Sequence, residues 1–151
     1  MLVMQNQPHI PLCVALLTLL ATACGTFDRE WQQAMGRPSA GVSGAWVGQW
    51  HSDHNGHEGA LRCVITPKSP ELVNAHFQAR YIQWCLPLSF SSRLDMLRRE
   101  DNGTSRFTGS ADLGWLAGGV YRYEGNGTAQ ELMFDFRSAG DHGTFRLRRP
   151  Q

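Results

Sequence analysis

The stretch Tyr121-Arg122-Tyr123-Glu124-Gly125-Asn126-Gly127-Thr128-Ala129-Gln130-Glu131-Leu132-Met133-Phe134-Asp135-Phe136 decides the fold. Tyr121 and Tyr123, then Leu132, Phe134 and Phe136, occupy every second position, with Arg122 and Asp135 between them. That is the period of a strand with one apolar and one polar face. Asn126-Gly127 separates the two runs. Asn-Gly is a strong hairpin signal, because both central residues of a type I′ turn take positive φ. The pattern therefore predicts two antiparallel strands joined at Asn126-Gly127.

The same period extends from Ser43 to the end of the chain. Apolar residues alternate in eight segments: Trp46, Gly48 and Trp50; Leu61, Cys63 and Ile65; Ala75, Phe77, Ala79 and Tyr81; Leu86, Leu88, Phe90, Leu94 and Met96; Phe107, Gly109, Ala111 and Leu113; Tyr121 and Tyr123; Leu132, Phe134 and Phe136; Phe145 and Leu147. Polar residues such as Gln49, Arg62, Gln78, Arg93, Asp95, Thr108, Arg122, Asp135 and Arg146 fall between them and give an outer face. Asn102-Gly103 supplies a second two-residue turn, and Pro67 to Glu71 another. No helical period separates the strands, so parallel crossovers are excluded and an antiparallel meander is expected. With no long amphipathic helix to cover a sheet, the apolar faces must meet one another. Closure into an all-β, up-and-down, eight-stranded barrel satisfies this and removes exposed edges. A two-sheet β-sandwich is the alternative.

All 27 Asp, Glu, Lys and Arg residues lie from Asp28 onward, so the first part of this 151-residue chain is uncharged. Ile10 to Ala23 is an apolar run of 14 residues, too short for a membrane span and suited to a signal-peptide core. Leu20-Ala21-Thr22-Ala23-Cys24 ends it, and small residues directly before a Cys resemble the lipobox of bacterial lipoproteins. That resemblance implies that Cys24 is acylated (palmitate being one such chain) and becomes the new N-terminus. The expected organisation is a signal peptide over 1–23, a lipid-attached tether with a short helix over 24–42, and the barrel over 43–151. Asp28 is a candidate helix cap, Phe27, Trp31 and Met35 are spaced for one helical face, and Gly36 to Ser43 reads as the tether.

Two small features resemble the calycin group of β-barrels, which open with Gly-x-Trp and place an Arg of the last strand against that Trp. Gly44-Ala45-Trp46 and the cluster Arg146, Arg148, Arg149 match these parts. The phrases from Gly56 to Cys63 and from Asp112 to Gly119 resemble those of small exported bacterial proteins of uncharacterised function.

In a meander, alternate connections share one end of the barrel. The loops His51 to Glu58, Ile82 to Cys85, Gly114 to Gly119 and Ser138 to His142 are thus expected on one rim, with His54, His57, Glu58, Trp84, Trp115, Asp141 and His142 gathered there. Because the first strand starts at the other end, the tether and lipid are expected away from that rim. His51, His54, His57 and Glu58, with Asp141 or His142, are candidate Zn²⁺ or Cu²⁺ ligands by donor type, the bland reading being a solvated loop around Asn55-Gly56. Trp46, Trp84 and Trp115 are candidate ligand or rim residues. A nucleophile could be Cys63 or a Ser assisted by His57 or His142 and Asp141, but no Gly-x-Ser-x-Gly elbow or phosphate loop is present. Cys63 is expected inside, opposite about His76, too far along the sheet from Cys85 for a disulfide.

A net charge of +1 gives no long-range field for nucleic acid. The expected role is non-catalytic, with no required cofactor: a module of the cell envelope, on the periplasmic side if there are two membranes. It would sit on the membrane through its lipid and bind a small apolar ligand or an envelope partner. The alternative is a metal-binding protein or a metal-dependent hydrolase using the His51 to Glu58 loop.

Overall fold

Alternation in sequence becomes alternation in burial. In Glu131–Arg137 every second residue, Leu132, Phe134 and Phe136, is buried, and the residues between them face solvent. The computed structural model describes residues 25–83, 86–115 and 118–151. They form one helix, α1 (25–35), and eight strands: β1 (Gly44–Ser52), β2 (Glu58–Ser69), β3 (Leu72–Gln83), β4 (Leu86–Asp101), β5 (Thr104–Asp112), β6 (Val120–Gly127), β7 (Glu131–Arg137) and β8 (His142–Arg148). The strands close in chain order into a barrel, each antiparallel to its neighbours, with β1 pairing β8. Residues 1–24, expected to hold a signal peptide and the acylated Cys24, and Trp84, Cys85, Leu116 and Ala117 lie outside the described residues.

Trp46, Phe77, Phe107, Tyr123, Phe134 and Phe145 pack in one interior cluster with Leu61, Ile65, Met96 and Leu147. Phe77 carries the middle of it, with ring centroids 5.3 Å from Phe145, 5.8 Å from Phe134 and 6.1 Å from Tyr123. Each such side chain removed from water contributes about 1.5–3 kcal/mol, so this aromatic layer dominates the stability of the barrel. Cys63 belongs to it, opposite Phe77 and one residue from the expected register. Burial pushes its thiol well up, as for a small core hydrophobe and unlike an activated nucleophile.

Asn102 and Gly103 both take positive φ, 49° and 79°, and join β4 to β5 as expected of a type I′ turn. Asn126-Gly127 behaves differently. β6 continues through Gly127, which pairs with Leu132, and the chain turns at 128–130 instead. There Thr128 N donates to Glu131 O at 2.8 Å, and Thr128 Oγ1 accepts from Gln130 N at 3.2 Å. Gly127 is needed for space: a Cβ there would run into the Glu131 carbonyl oxygen.

The segment before β1 packs closely on the barrel. Phe27 and Trp31 of α1 are buried against Ala45 and Val64 on the outer face of β1 and β2. Ala34 continues this face, while Met35 is 44% exposed, because spacings of four and then three keep a helical residue on its stripe. Asp28 lies within the helix and pairs with Arg62 at 2.7 Å instead of capping. The stretch 36–43, a tether by composition, is tied down by Trp46 Nε1 donating to Val42 O at 2.9 Å and Arg149 Nη2 donating to Gly41 O at 2.6 Å.

α1 has a defined direction along the wall. Asp28 reaches Arg62 near the middle of β2, whereas Gln33, Ala34 and Arg37 lie beside Gly44, Thr66 and Pro67 at the base. The helix thus descends along the wall from mid-height to the base before β1 ascends. Among the described residues no helix is long and apolar enough to cross a membrane.

Candidate functional site

Seven of the eight seams are paired along most of their length, and the seam between β4 and β5 is the exception. Pairing runs from Asp101↔Thr104 up to Met96↔Gly109 and stops, although β4 stays paired with β3 as far as Leu86. Beyond Met96 the upper half of β4 leans away with β3. The inward positions there are incompletely covered: Leu88 and Phe90 are each 39% exposed, whereas Leu94 and Met96 on the same face are buried.

Beside this parting, the inward positions nearest the rim form a shallow apolar cup. Trp50, Ala79, Ala111 and Tyr121 are only partly buried and rest on the aromatic layer. Tyr121 stacks on Tyr123 at 6.3 Å and meets Phe136 at 6.1 Å. Trp50 is held by Nε1 donating to Arg80 O at 3.2 Å. At the floor, the buried Ser92 Oγ lacks a hydrogen bond of ordinary geometry. The Tyr123 phenol beside it is pushed up to about 12, first by burial and then by Tyr121, with Ser92 opposing weakly. A buried hydroxyl without a good partner costs about 1–3 kcal/mol, which a ligand or water bonded there would recover.

The first and last interstrand loops meet at this end. Asp53 N donates to His142 O at 2.8 Å, and the fully buried Ser52 donates through Oγ to Asp141 Oδ1 at 2.5 Å. The same carboxylate oxygen accepts from His142 N at 2.8 Å, so Asp141 fastens the loop. His51 lies 3.5 Å from Asp53 and 3.7 Å from Glu58, both exposed contacts. The His54 and His142 rings are 6.3 Å apart, and His57 is exposed, its backbone N donating to Asn55 Oδ1 at 2.9 Å. Among the described residues, no three His, Cys, Asp or Glu side chains converge closely enough to hold a metal ion. The candidate ligands share a rim and meet only in pairs, His51 with Asp53 and with Glu58, while His54 faces His142 at 6.3 Å.

The tryptophans separate. Trp115 is on the rim and 86% exposed. Trp46 is fully buried near the base, beneath Arg149, and takes no part in the rim. A groove of about 820 Å³ runs outside the barrel from Asp53 and His142 across Arg122 and Arg137, which face each other across β6 and β7.

A second constellation was not anticipated from the sequence. On the outer wall, His76 of β3 is 5% exposed beneath α1, with Phe27 edge-on at 4.9 Å. Its Nδ1 lies 2.7 Å from Glu30 Oε2, and its Nε2 lies 2.7 Å from Ser91 Oγ. Arg93 also pairs with Glu30 and comes within 3.0 Å of His76 Nδ1. Burial alone would raise the Glu30 carboxyl, but hydrogen bonds from His76 and Arg93, with the charge of both, hold it below the ordinary glutamate range. The only sequence signal was a His at an outward strand position two residues before Gln78. Its partners come from two other elements, α1 and β4, that only the fold brings to it.

No protein-family model matches the chain, and no curated protein or solved structure is significantly similar to it.

Proposed function

We propose that the mature protein is a lipid-anchored binding module of the cell envelope whose rim-end cup takes a small, largely apolar ligand carrying one hydrogen-bonding group. The observation that carries this reading is the parting of β4 from β5 above Met96↔Gly109, beside a cup of Trp50, Ala79, Ala111 and Tyr121. The parting offers a side entrance, the cup an apolar seat, and the Ser92 hydroxyl with the Tyr123 phenol a polar anchor below it. Burial of about 250 Å² of ligand surface would be worth about 6 kcal/mol, a Kd on the order of tens of micromolar.

The test is titration with N-phenyl-1-naphthylamine. One saturable site is expected, with affinity lowered tenfold or more in Ala79→Trp and in Ala111→Trp, whose side chains fill the cup. Absence of saturation, or unchanged affinity in both variants, removes the reading. For the anchor, the apolar run ending at Cys24 is the support; palmitate incorporation is expected in the wild type and lost in Cys24→Ala, and labelling that persists in the variant argues against it. An envelope protein docking on the rim is a second reading, supported by the 86% exposure of Trp115. It is separated from the first by Trp115→Ser, which leaves probe binding intact and reduces partner co-purification.

A further inference from the structure

We infer that Ser91, His76 and Glu30 form a nucleophilic triad on the outer wall of the barrel, competent to cleave small activated carboxylic esters. The site is separate from the cup and does not depend on the cup binding anything. Three observations carry it. The two contacts of His76 are both 2.7 Å and reach different ring nitrogens, Nε2 to a hydroxyl and Nδ1 to a carboxylate. This is the order of roles by which an imidazole takes a proton from a nucleophile while a carboxylate fixes its tautomer. Glu30 lies below the ordinary glutamate range and is a carboxylate; the neutral imidazole donates to it through Nδ1–H and accepts from Ser91 through Nε2. Arg93 lies near Nδ1 because both donate to the same carboxylate.

The third observation is access. Ser91 is half-buried and lies on the part of β4 that has no β5 partner. Backbone N–H groups alternate sides along a strand. Either Ser91 or both Phe90 and Ser92 therefore direct an N–H to the open edge, where it can serve a developing oxyanion. Gln78 stands directly opposite Ser91, and its Oε1 accepts from Arg62 Nε at 3.2 Å, which turns its Nε2 donor away from Arg62.

In the step proposed, Ser91 Oγ bonds to the acyl carbon as its proton passes to His76 Nε2. The ester C–O bond then breaks, and the proton moves on to the departing alkoxide. Water, deprotonated by the same nitrogen, attacks the acyl-Ser91 carbon to release the carboxylic acid and restore the hydroxyl. Arg93 shares the Glu30 charge and so weakens support for the imidazolium, which sets a low rate and favours esters with good leaving groups.

The experiment is labelling of the folded protein at pH 8 with a fluorophosphonate, mapped by mass spectrometry, together with turnover of 4-nitrophenyl acetate. The expected result is a single adduct on Ser91, absent after heat denaturation, with turnover falling at least about 100-fold in Ser91→Ala. No adduct on Ser91, or turnover unchanged in Ser91→Ala, overturns the proposal. His76 also supports α1, so its replacement could act through folding; Ser91→Ala leaves the His76, Glu30 and Arg93 contacts in place and avoids this. Glu30 acts as a positioning residue: Glu30→Gln should lower kcat about tenfold with KM unchanged, and a change confined to KM would remove it from the triad.

Discussion

The guanidinium carbon of Arg149 lies 3.6 Å from the centroid of the Trp46 ring. Arg149 also donates to three backbone carbonyls, from Nε to Ala129 O at 2.8 Å, Nη1 to Ala45 O at 3.2 Å and Nη2 to Gly41 O at 2.6 Å. One side chain thus closes the base of the barrel and ties together the segment before β1, β1 itself and the turn after β6. Arg149→Ala is expected to destabilise the protein by about 2–3 kcal/mol, combining a cation–π contact with charge-assisted hydrogen bonds. Arg149→Lys should recover less than half, since one ammonium cannot address three divergent carbonyls and stack as well. Urea midpoints of the two variants test both statements.

Gly48 sits on β1 opposite Leu147, on the seam that closes the barrel. A Cβ there would run into the Arg146 carbonyl oxygen and crowd the backbone of Leu147. These atoms belong to a paired strand and cannot turn aside as a flexible side chain would. Gly48→Ala is therefore expected to cost roughly 3 kcal/mol or more. Hydrogen exchange should show the loss first in the amides of β1 and β8, and uniform loss across all strands would argue against a local clash.

Docking of α1 should weaken in acid. Glu30 is held below the ordinary glutamate range in the folded protein. A carboxyl shifted down in this way contributes its full stability above the ordinary range and loses it as pH falls through the depressed value. Glu30 is about one-third exposed and Arg93 nearly half, so the contribution is about 1 kcal/mol or less after screening. Trp31 fluorescence should shift to the red on acidification below pH 5, before global unfolding. In Glu30→Gln this separate acid transition should vanish.

The parted seam makes a pattern in exchange rates. Between Leu88 and Asp95 every second amide of β4 faces no β5 ladder, while the alternate amides bond to β3. Alternating fast and slow exchange is expected over this stretch, with continuous protection from Leu97 to Glu100. Uniform protection from residue 88 onward would mean that the seam is closed in solution.

Strand period and turn chemistry made the barrel legible, because both are local. Leu132, Phe134 and Phe136 announce their face by spacing alone, and Asn102-Gly103 announces a turn by its need for positive φ. Asn126-Gly127 misled, because a glycine required for close backbone approach looks the same in sequence as one required for a turn. The outer wall was not legible for a different reason. Ala45 and Val64 are apolar residues at outward positions, a mark that something covers them, but that mark does not say what does. Whether β4 follows β5 or stays with β3 depends on which seam can carry the twist of a closing sheet, a property of the whole barrel. The site inherits these limits: the rim could be assigned from strand order, whereas His76, Ser91 and Glu30 meet only after a helix has docked.

The downward run of α1 keeps an apolar strip of the outer wall under cover. Phe27 and Trp31 take Ala45 and Val64 out of water. A barrel stripped of α1 would present that strip to solvent, and would be stickier as well as less stable.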